Sequence, residues 1–252
     1  MTAGNISAKH AFTTRFGGVS KGIWSSLNLG ENRGDDTGAV KGNYRRIFAA
    51  LEMDPDRAVF SKQVHGTQVR VVTAEDARHP YEPFPWEADG LVTAEKGLAL
   101  IIFTADCVPV LLHDAKSGVI GAVHCGWRST AGDIEREAIE KMSSLGAEPR
   151  RIQAAIGPSV GVCCFETGPE VPEALDAMLG GDSSGLFAPK PGMAGKYMTD
   201  LKGAVRRRLI QLGVPDENVS VSEECTICSS DKYWSHRATG GARGTQASII
   251  VL

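Results

Sequence analysis

Residues 98–128 limit the fold of this chain more than any other segment. They read LALIIFTADCVPVLLHDAKSGVIGAVHCGWR and hold two apolar runs, the first ending at Cys107 and the second at His124. Short apolar runs bounded by polar turns are typical of buried strands. The segment therefore predicts a buried sheet whose strand ends carry a thiol and an imidazole, two groups that bind metals or take part in catalysis.

The rest of the chain predicts strands and helices without a regular βαβ alternation. Strands are expected at 89–93, 98–104, 108–113, 119–124, 152–156, 219–222 and 247–252, and helices at 37–51, 131–145, 171–179 and 199–212. This pattern favours an α+β chain with mixed β-sheets over a doubly wound parallel fold. The length and the ordinary composition suit one domain covering residues 1–252.

Two local features make sharper predictions. Residues 58–64 and 68–73 are β-rich and flank His65-Gly66-Thr67, which predicts a hairpin with His65 near its tip. Thr130-x-x-Asp133 stands at the start of the helical pattern of 131–145 and resembles a capping box.

Charge and hydropathy exclude several classes of partner. A net charge of −3 and a pI near 6.1 give no reason to expect binding to nucleic acid or an anionic membrane, which would need a basic face. No apolar stretch reaches the ~20 residues that a membrane span needs, and no apolar run follows a basic N-terminus. We expect a cytoplasmic protein, in which the six cysteines stay reduced and free for metal binding or catalysis.

His65, Cys107 and His124 together form an acceptable ligand set for catalytic zinc, which usually has three protein ligands and one open position. Each also has a plain structural interpretation: a turn residue, a small core residue and a strand-end histidine. A thiolate beside a histidine base is equally the minimum for a cysteine hydrolase. The sequence leaves the zinc site and the hydrolase open.

The other cysteines give weaker signals. Cys225-x-x-Cys228 has no second pair of the same spacing, which favours two reduced thiols over a zinc knuckle. Adjacent Cys163 and Cys164 are expected to pack. Neighbouring strand residues point to opposite faces, so only one of His124 and Cys125 is expected to reach a site.

Two arginines are the best candidates for binding an anion. Arg15 in TTRFGG and Arg128 in GWR lie beside glycines that let the backbone approach a ligand. The planar guanidinium group suits phosphate because it donates paired hydrogen bonds.

The order of the motifs resembles the YfiH-like family, also called the multicopper polyphenol oxidase, laccase-domain or peptidoglycan editing factor family. The motifs are TTRFGGVS, SLNLG, QVHG at 63–66, TADCVPVLL at 104–112, AVHCGWRST at 122–130, AAIGPSVGVCCFE at 154–166 and MTDLK at 198–202. They cover nearly the whole chain.

The resemblance implies a layered α/β/β/α fold and a zinc ion held by His65, Cys107 and His124. It also implies purine nucleoside phosphorylase activity on adenosine, inosine and methylthioadenosine, with adenosine deaminase activity at the same site. The partners are then a purine nucleoside and phosphate, with Arg15, Arg128 and Asn28 of SLNLG as candidate contacts. An arginine contact from the helix after SLNLG is either lost or taken over by Arg45.

The chain departs from the family pattern at four places: Cys125 replaces an alanine, Ser129 replaces a glycine, Tyr44 separates Asn43 from Arg45, and Arg243-Gly244-Thr245 precedes Gln246. The first three departures affect substrate contacts more than the metal. The last concerns whether Arg243 reaches the site.

Three other functions remain in competition. A Cys-His hydrolase or amidase acting on a peptidoglycan precursor fits the Cys107 and His124 pair. A copper-dependent phenol oxidase is disfavoured because a multicopper centre needs about ten histidines, whereas the chain has six and no His-x-His. A non-enzymatic binding module has no positive signal in the sequence.

Overall fold

The computed structural model describes residues 1–252, which form five α-helices and thirteen strands. The helices are α1 (Thr37–Ala50), α2 (Trp127–Ala131), α3 (Ile134–Ser144), α4 (Glu170–Met178) and α5 (Leu201–Gln211). The strands are β1 (Lys9–Phe12), β2 (Ala58–Val59), β3 (Val69–Val71), β4 (Gly90–Thr93), β5 (Ala99–Thr104), β6 (Val108–Asp114), β7 (Val119–Cys125), β8 (Gln153–Ile156), β9 (Glu166–Thr167), β10 (Phe187–Pro189), β11 (Tyr197–Thr199), β12 (Val219–Val221) and β13 (Gln246–Val251).

Two large sheets and one small sheet contain all of these strands. The four-stranded sheet has the order β1-β13-β5-β2, the six-stranded sheet β12-β8-β6-β7-β4-β3, and the small sheet β10-β11-β9. Both large sheets mix orientations: β2 runs parallel to β5, β3 to β4 and β12 to β8, while their other neighbours are antiparallel. The prediction of mixed sheets is confirmed.

Alternation along β5 shows how the layers form. Leu100 and Ile102 face the six-stranded sheet, where Leu111 is one of their apolar partners, whereas Ile101 faces the opposite way in a cluster with Phe48 of α1. A third apolar cluster joins the far side of the six-stranded sheet to α3, α4 and α5. Because side chains on a strand alternate in direction, one strand serves two layers. The resulting order, helix, sheet, sheet, helices, confirms the α/β/β/α fold.

Helix ends follow from local capping in α1 and α5. The Asp36 carboxylate accepts from Ala39 N at 2.8 Å, and that of Asp200 accepts from Gly203 N at 2.9 Å. Such carboxylates satisfy amides that have no partner within the helix. None of the helices has both the length and the apolar character that a membrane span requires.

The prediction of a capping box at Thr130 and Asp133 is wrong. Asp133 has a φ of 68° and separates α2 from α3, so the helix predicted at 131–145 begins at Ile134. The Asp133 carboxylate makes no cap; it accepts from Arg208 of α5 at 2.6 and 2.7 Å and from Arg136 at 2.7 Å. An ion pair distant in sequence has replaced the local cap.

The prediction of a hairpin around His65 is also wrong. Strand β2 pairs with β5 in the four-stranded sheet and β3 pairs with β4 in the six-stranded sheet, so the segment between them crosses from one sheet to the other. The Asp89 carboxylate accepts hydrogen bonds from the amides of Val64, His65 and Gly66. These amides are therefore not available to a hairpin ladder.

Candidate active site

His65, Cys107 and His124 come together where segments leave the two large sheets. His65 lies in the crossing from β2 to β3, Cys107 in the turn from β5 to β6, and His124 near the end of β7. Their ligand atoms all lie within 4.8 Å of one another, and Cys107 Sγ is 3.8 Å from His65 Nε2. His124 is buried while His65 is exposed, so the group is open to solvent on one side.

Asp89 fixes the positions of His65 and His124 through hydrogen bonds. Its fully buried carboxylate accepts from His124 Nδ1 at 2.8 Å and His65 N at 3.0 Å through Oδ1, and from Val64 N and Gly66 N through Oδ2. When neutral His124 donates its Nδ1 proton to Asp89, the free lone pair of the ring lies on Nε2. Such carboxylates are the usual outer partners of metal-binding histidines.

Two backbone features bring the side chains close. Asp106, directly before Cys107, has a φ of 92°, and its carboxylate accepts from Thr226 Oγ1 at 2.6 Å and Arg237 N at 2.8 Å. A Cβ on Gly126 would lie 2.9 Å from His65 Cδ2 and 3.5 Å from Cys107 Sγ. A glycine is needed at this position because the two side chains occupy the space that a Cβ would fill.

The thiol and the imidazole shift each other's pKa. Burial alone raises the pKa of Cys107, but the charge and hydrogen bond of His124 lower it to about 6. Burial alone lowers the pKa of His124, but the charge of Cys107 and the hydrogen bond of Asp89 raise it to about 9. Both shifts favour a thiolate beside an imidazolium over the neutral pair, and thiolate is the form that binds metal.

A cavity of about 590 Å³ opens beside the three residues. Its volume falls in the range typical of small-molecule sites. The walls combine aromatic side chains with arginines, namely Tyr44, Phe84, Phe103, Trp127 and Phe165 with Arg33, Arg128, Arg237 and Arg243. Such a lining suits a flat apolar group joined to an anion.

None of these four arginines forms an ion pair with a carboxylate. Arg243 Nη1 donates to Gly244 O and Thr245 Oγ1, while its buried Nε has no partner. Burial, together with the charge of Arg33, lowers the pKa of Arg243 to about 10. A partly buried guanidinium without a carboxylate is a natural anchor for an anionic ligand.

The arginines and the asparagine predicted to contact substrate divide into two groups. Arg128 lines the cavity, but Arg15, Asn28 and Arg45 do not. Arg15 donates to Ser25 O and Ser230 O and stacks on the Trp234 ring.

Asn28 and Arg45 lie outside the cavity in different ways. Asn28 is buried, and its Oδ1 accepts from Gly30 N and Thr245 N, both of cavity-lining residues, so it shapes the cavity wall. Arg45 is exposed on α1.

Sequence reasoning missed Asp89 and the contributions of Arg33 and Arg237, and it left Arg243 undecided. Asp89 had one usable signal, a lone carboxylate at the start of an apolar strand. The arginines lie in loops without a periodic pattern, where spacing alone does not indicate which side chains meet.

Comparison with known proteins places this geometry in a family. Residues 9–252 match the family described as multi-copper polyphenol oxidoreductase laccase. The chain is 40% identical over 252 residues to a protein of Deinococcus radiodurans named purine nucleoside phosphorylase, covering 100% of this chain and 92% of that one. It is 36% identical over 242 residues to purine nucleoside phosphorylase YlmD of Geobacillus stearothermophilus, covering 94% of this chain and 88% of YlmD.

Solved structures agree with the sequence relatives. The crystal structure of YlmD from Geobacillus stearothermophilus matches with a TM-score of 0.93 at 35% identity, covering 99% of this chain and 93% of that chain. YfiH of Bacillus licheniformis matches with a TM-score of 0.91 at 31% identity, covering 96% and 92%. The resemblance to the YfiH-like family is confirmed.

Proposed function

This chain belongs to the multi-copper polyphenol oxidoreductase laccase family, which includes YfiH-like proteins, and we propose that it is a zinc-dependent purine nucleoside phosphorylase. The observation that carries the proposal is the position of the His65, Cys107 and His124 group beside a cavity whose arginines have no carboxylate partners. The names of the relatives support the same activity. The substrates are then a purine nucleoside and phosphate.

The three side chains fit zinc. Two imidazole nitrogens and one thiolate are ligands that zinc accepts, and the exposed side of the group leaves a position for substrate or water. A multicopper centre does not fit because only two of the six histidines belong to this group. When bound, zinc would supply Lewis-acid stabilisation of a developing negative charge.

In phosphorolysis a phosphate oxygen forms a bond to the ribose C1′ while the bond from C1′ to the purine nitrogen breaks, giving the free base and ribose 1-phosphate. Arg128 and Arg243 would hold the phosphate through charge-assisted hydrogen bonds. The aromatic wall would pack against the flat base. The chain's contribution is then mainly positioning and electrostatic stabilisation.

The direct test is incubation of zinc-replete protein with adenosine and phosphate, followed by chromatography of the products. We expect adenine and ribose 1-phosphate, and neither of these two products when phosphate is replaced by chloride. Cys107→Ala is expected to lose activity together with the zinc ion held by the His65, Cys107 and His124 group. Active protein that contains no metal, or zinc-replete protein that releases no free base, would refute the proposal.

Arg243→Met tests the phosphate site. Loss of charge-assisted hydrogen bonds worth about 1.5–3 kcal/mol predicts a KM for phosphate that is ~10–100-fold higher. Arg150→Met is the matched control, since Arg150 is 79% exposed and pairs only with Glu148 on the surface. Equal KM values for the two variants would remove Arg243 from the phosphate site.

Adenosine deamination is the second activity that we propose for this site. The observation in its favour is that the His65, Cys107 and His124 group faces the same cavity that would hold the base. The same incubation without phosphate tests it, with inosine as the expected product. Absence of inosine would restrict the proposal to phosphorolysis.

A Cys-His hydrolase remains the competing function, because a Cys107 thiolate 3.8 Å from His65 is the geometry that a nucleophile needs. It predicts activity on a peptidoglycan precursor that survives chelation and disappears on alkylation of Cys107. Zinc dependence of the adenosine reaction would exclude that role for the site.

A further inference from the structure

Four cysteines meet at a second place, outside the group already described. Cys163 and Cys164 lie in the loop after β8, and Cys225 and Cys228 in the loop after β12. All four sulfurs lie within 4.8 Å of one another. Cys228 Sγ is 3.6 Å from Cys163 Sγ and 3.4 Å from Cys164 Sγ.

We propose that these four thiols bind one zinc ion as a structural site. Zinc bound by four thiolates at about 2.3 Å in tetrahedral geometry requires sulfurs roughly 3.8 Å apart, which is close to the spacing found here. The second cysteine pair needed for a zinc knuckle is present, but it is the adjacent pair Cys163-Cys164 and not another C-x-x-C. Sequence spacing therefore did not reveal it.

The protein holds the two loops together around the sulfurs. Gly161 N donates to Cys225 Sγ at 3.2 Å, and Thr226 N donates to Ser159 O at 3.0 Å, so each loop hydrogen-bonds the other. Lys202 Nζ donates to Ser222 O at 2.7 Å and to a second carbonyl of the same loop at 3.1 Å. The cluster therefore lies on a fixed backbone, as a metal site requires.

A disulfide fits this arrangement less well. All six cysteines are free, and one disulfide would leave two of the four converging sulfurs without a partner. Four converging soft donors without any other ligand type are the donor set of structural zinc.

The site would act on the cavity through the loops that it joins. Val160 and Phe165 of the first loop line the cavity, and Thr226 Oγ1 of the second donates to Asp106 Oδ1 at 2.6 Å. Asp106 directly precedes Cys107. A zinc ion at the four cysteines would therefore fix one wall of the cavity and the backbone that carries Cys107.

Metal content of the purified full-length chain tests the proposal. After loading with zinc and removal of the excess, we expect about two equivalents in the wild type and about one in both C225S/C228S and Cys107→Ser. Cys125→Ala is the matched control and is expected to keep about two, because Cys125 is buried in the core and belongs to neither group. About one equivalent in the wild type, lost only in Cys107→Ser, would overturn the proposal.

Alkylation in the Cys107→Ser background gives a second measurement that does not depend on how the double variant folds. Iodoacetamide labelling of the exposed Cys163 and Cys228, read by mass spectrometry, should slow at least ~10-fold when zinc is bound. Equal rates with and without zinc would refute the site. Thiols that label only after reduction would identify a disulfide in its place.

Discussion

Replacing Asp89 with asparagine tests how the site is supported. The carboxylate accepts four hydrogen bonds, two at each oxygen: His124 Nδ1 and His65 N at Oδ1, and Val64 N and Gly66 N at Oδ2. An amide has only one acceptor oxygen. Either orientation of the asparagine side chain therefore turns its NH₂ group against two donors.

The two orientations have different costs. With the NH₂ toward Val64 and Gly66, two amides lose their acceptor, at about 1–3 kcal/mol each. With the NH₂ toward His124, the imidazole can accept only when Nδ1 carries no proton, which leaves its remaining proton on Nε2, the atom needed for a metal, and the His65 amide still loses its acceptor. We therefore expect a loss of about 2–6 kcal/mol in metal-free unfolding free energy and a ~10–100-fold loss in zinc affinity.

Urea unfolding in the presence of chelator measures the first quantity, and competition with a chromophoric chelator measures the second. Asp114→Asn is the matched control. Asp114 is also a buried carboxylate that accepts backbone amides, from Lys116 and Glu148, but it lies at the far end of β6, about 20 Å from Cys107. It should lose stability and keep zinc affinity. Unchanged zinc affinity in Asp89→Asn would show that Asp89 supports only the loop, and unchanged stability would refute the hydrogen-bond argument.

Two further predictions concern a buried carboxyl and a close approach. Burial raises the pKa of Glu135 from 4.5 to about 8. Its contribution to the unfolding free energy is therefore fully present below pH 4.5 and is lost, by up to about 1.4 kcal/mol per pH unit, as the pH rises to about 8. Unfolding curves of Glu135→Gln should lack this loss, and the same pH dependence in the variant and the wild type would contradict the prediction. Gly126→Ala should displace His65 and lower kcat/KM ~10–100-fold. The control Gly121→Ala meets Met142 Sδ at 3.4 Å, an ordinary contact, and should keep wild-type kinetics; equal kinetics for both variants would contradict the steric argument.

The strands were predictable because burial leaves a direct trace in the sequence. The apolar runs at 98–104, 108–113 and 119–124 correspond to β5, β6 and β7 to within one residue at each end. The sequence gives no comparable indication of which strands pair with each other. Two neighbouring β-rich runs predict a hairpin, but β2 and β3 belong to different sheets. Similarly, the break at Asp133 is accompanied by an ion pair with Arg208, 75 residues further along the chain.

Only the residues of the candidate site that lie in recognisable sequence motifs could be predicted. His65, Cys107 and His124 stand in motifs and do converge. Arginine beside glycine is a weaker signal, because the same side chain can stack within the fold, as Arg15 does on Trp234. The thiols of Cys163 and Cys164 meet Cys228 only through the packing of two loops, which spacing does not encode.

The connections between the sheets explain why the site lies where it does. His65 is on the crossing from β2 in the four-stranded sheet to β3 in the six-stranded sheet, and Cys107 is on the crossing from β5 to β6. His124, on β7 of the six-stranded sheet, is joined to the first crossing by Asp89, which accepts from both its ring and the His65 amide. Cys107 Sγ of the second crossing lies 3.8 Å from His65 Nε2. The distances within the group therefore depend on how the two sheets stack. A substitution in the apolar layer between the sheets would alter the site without touching any of the three residues.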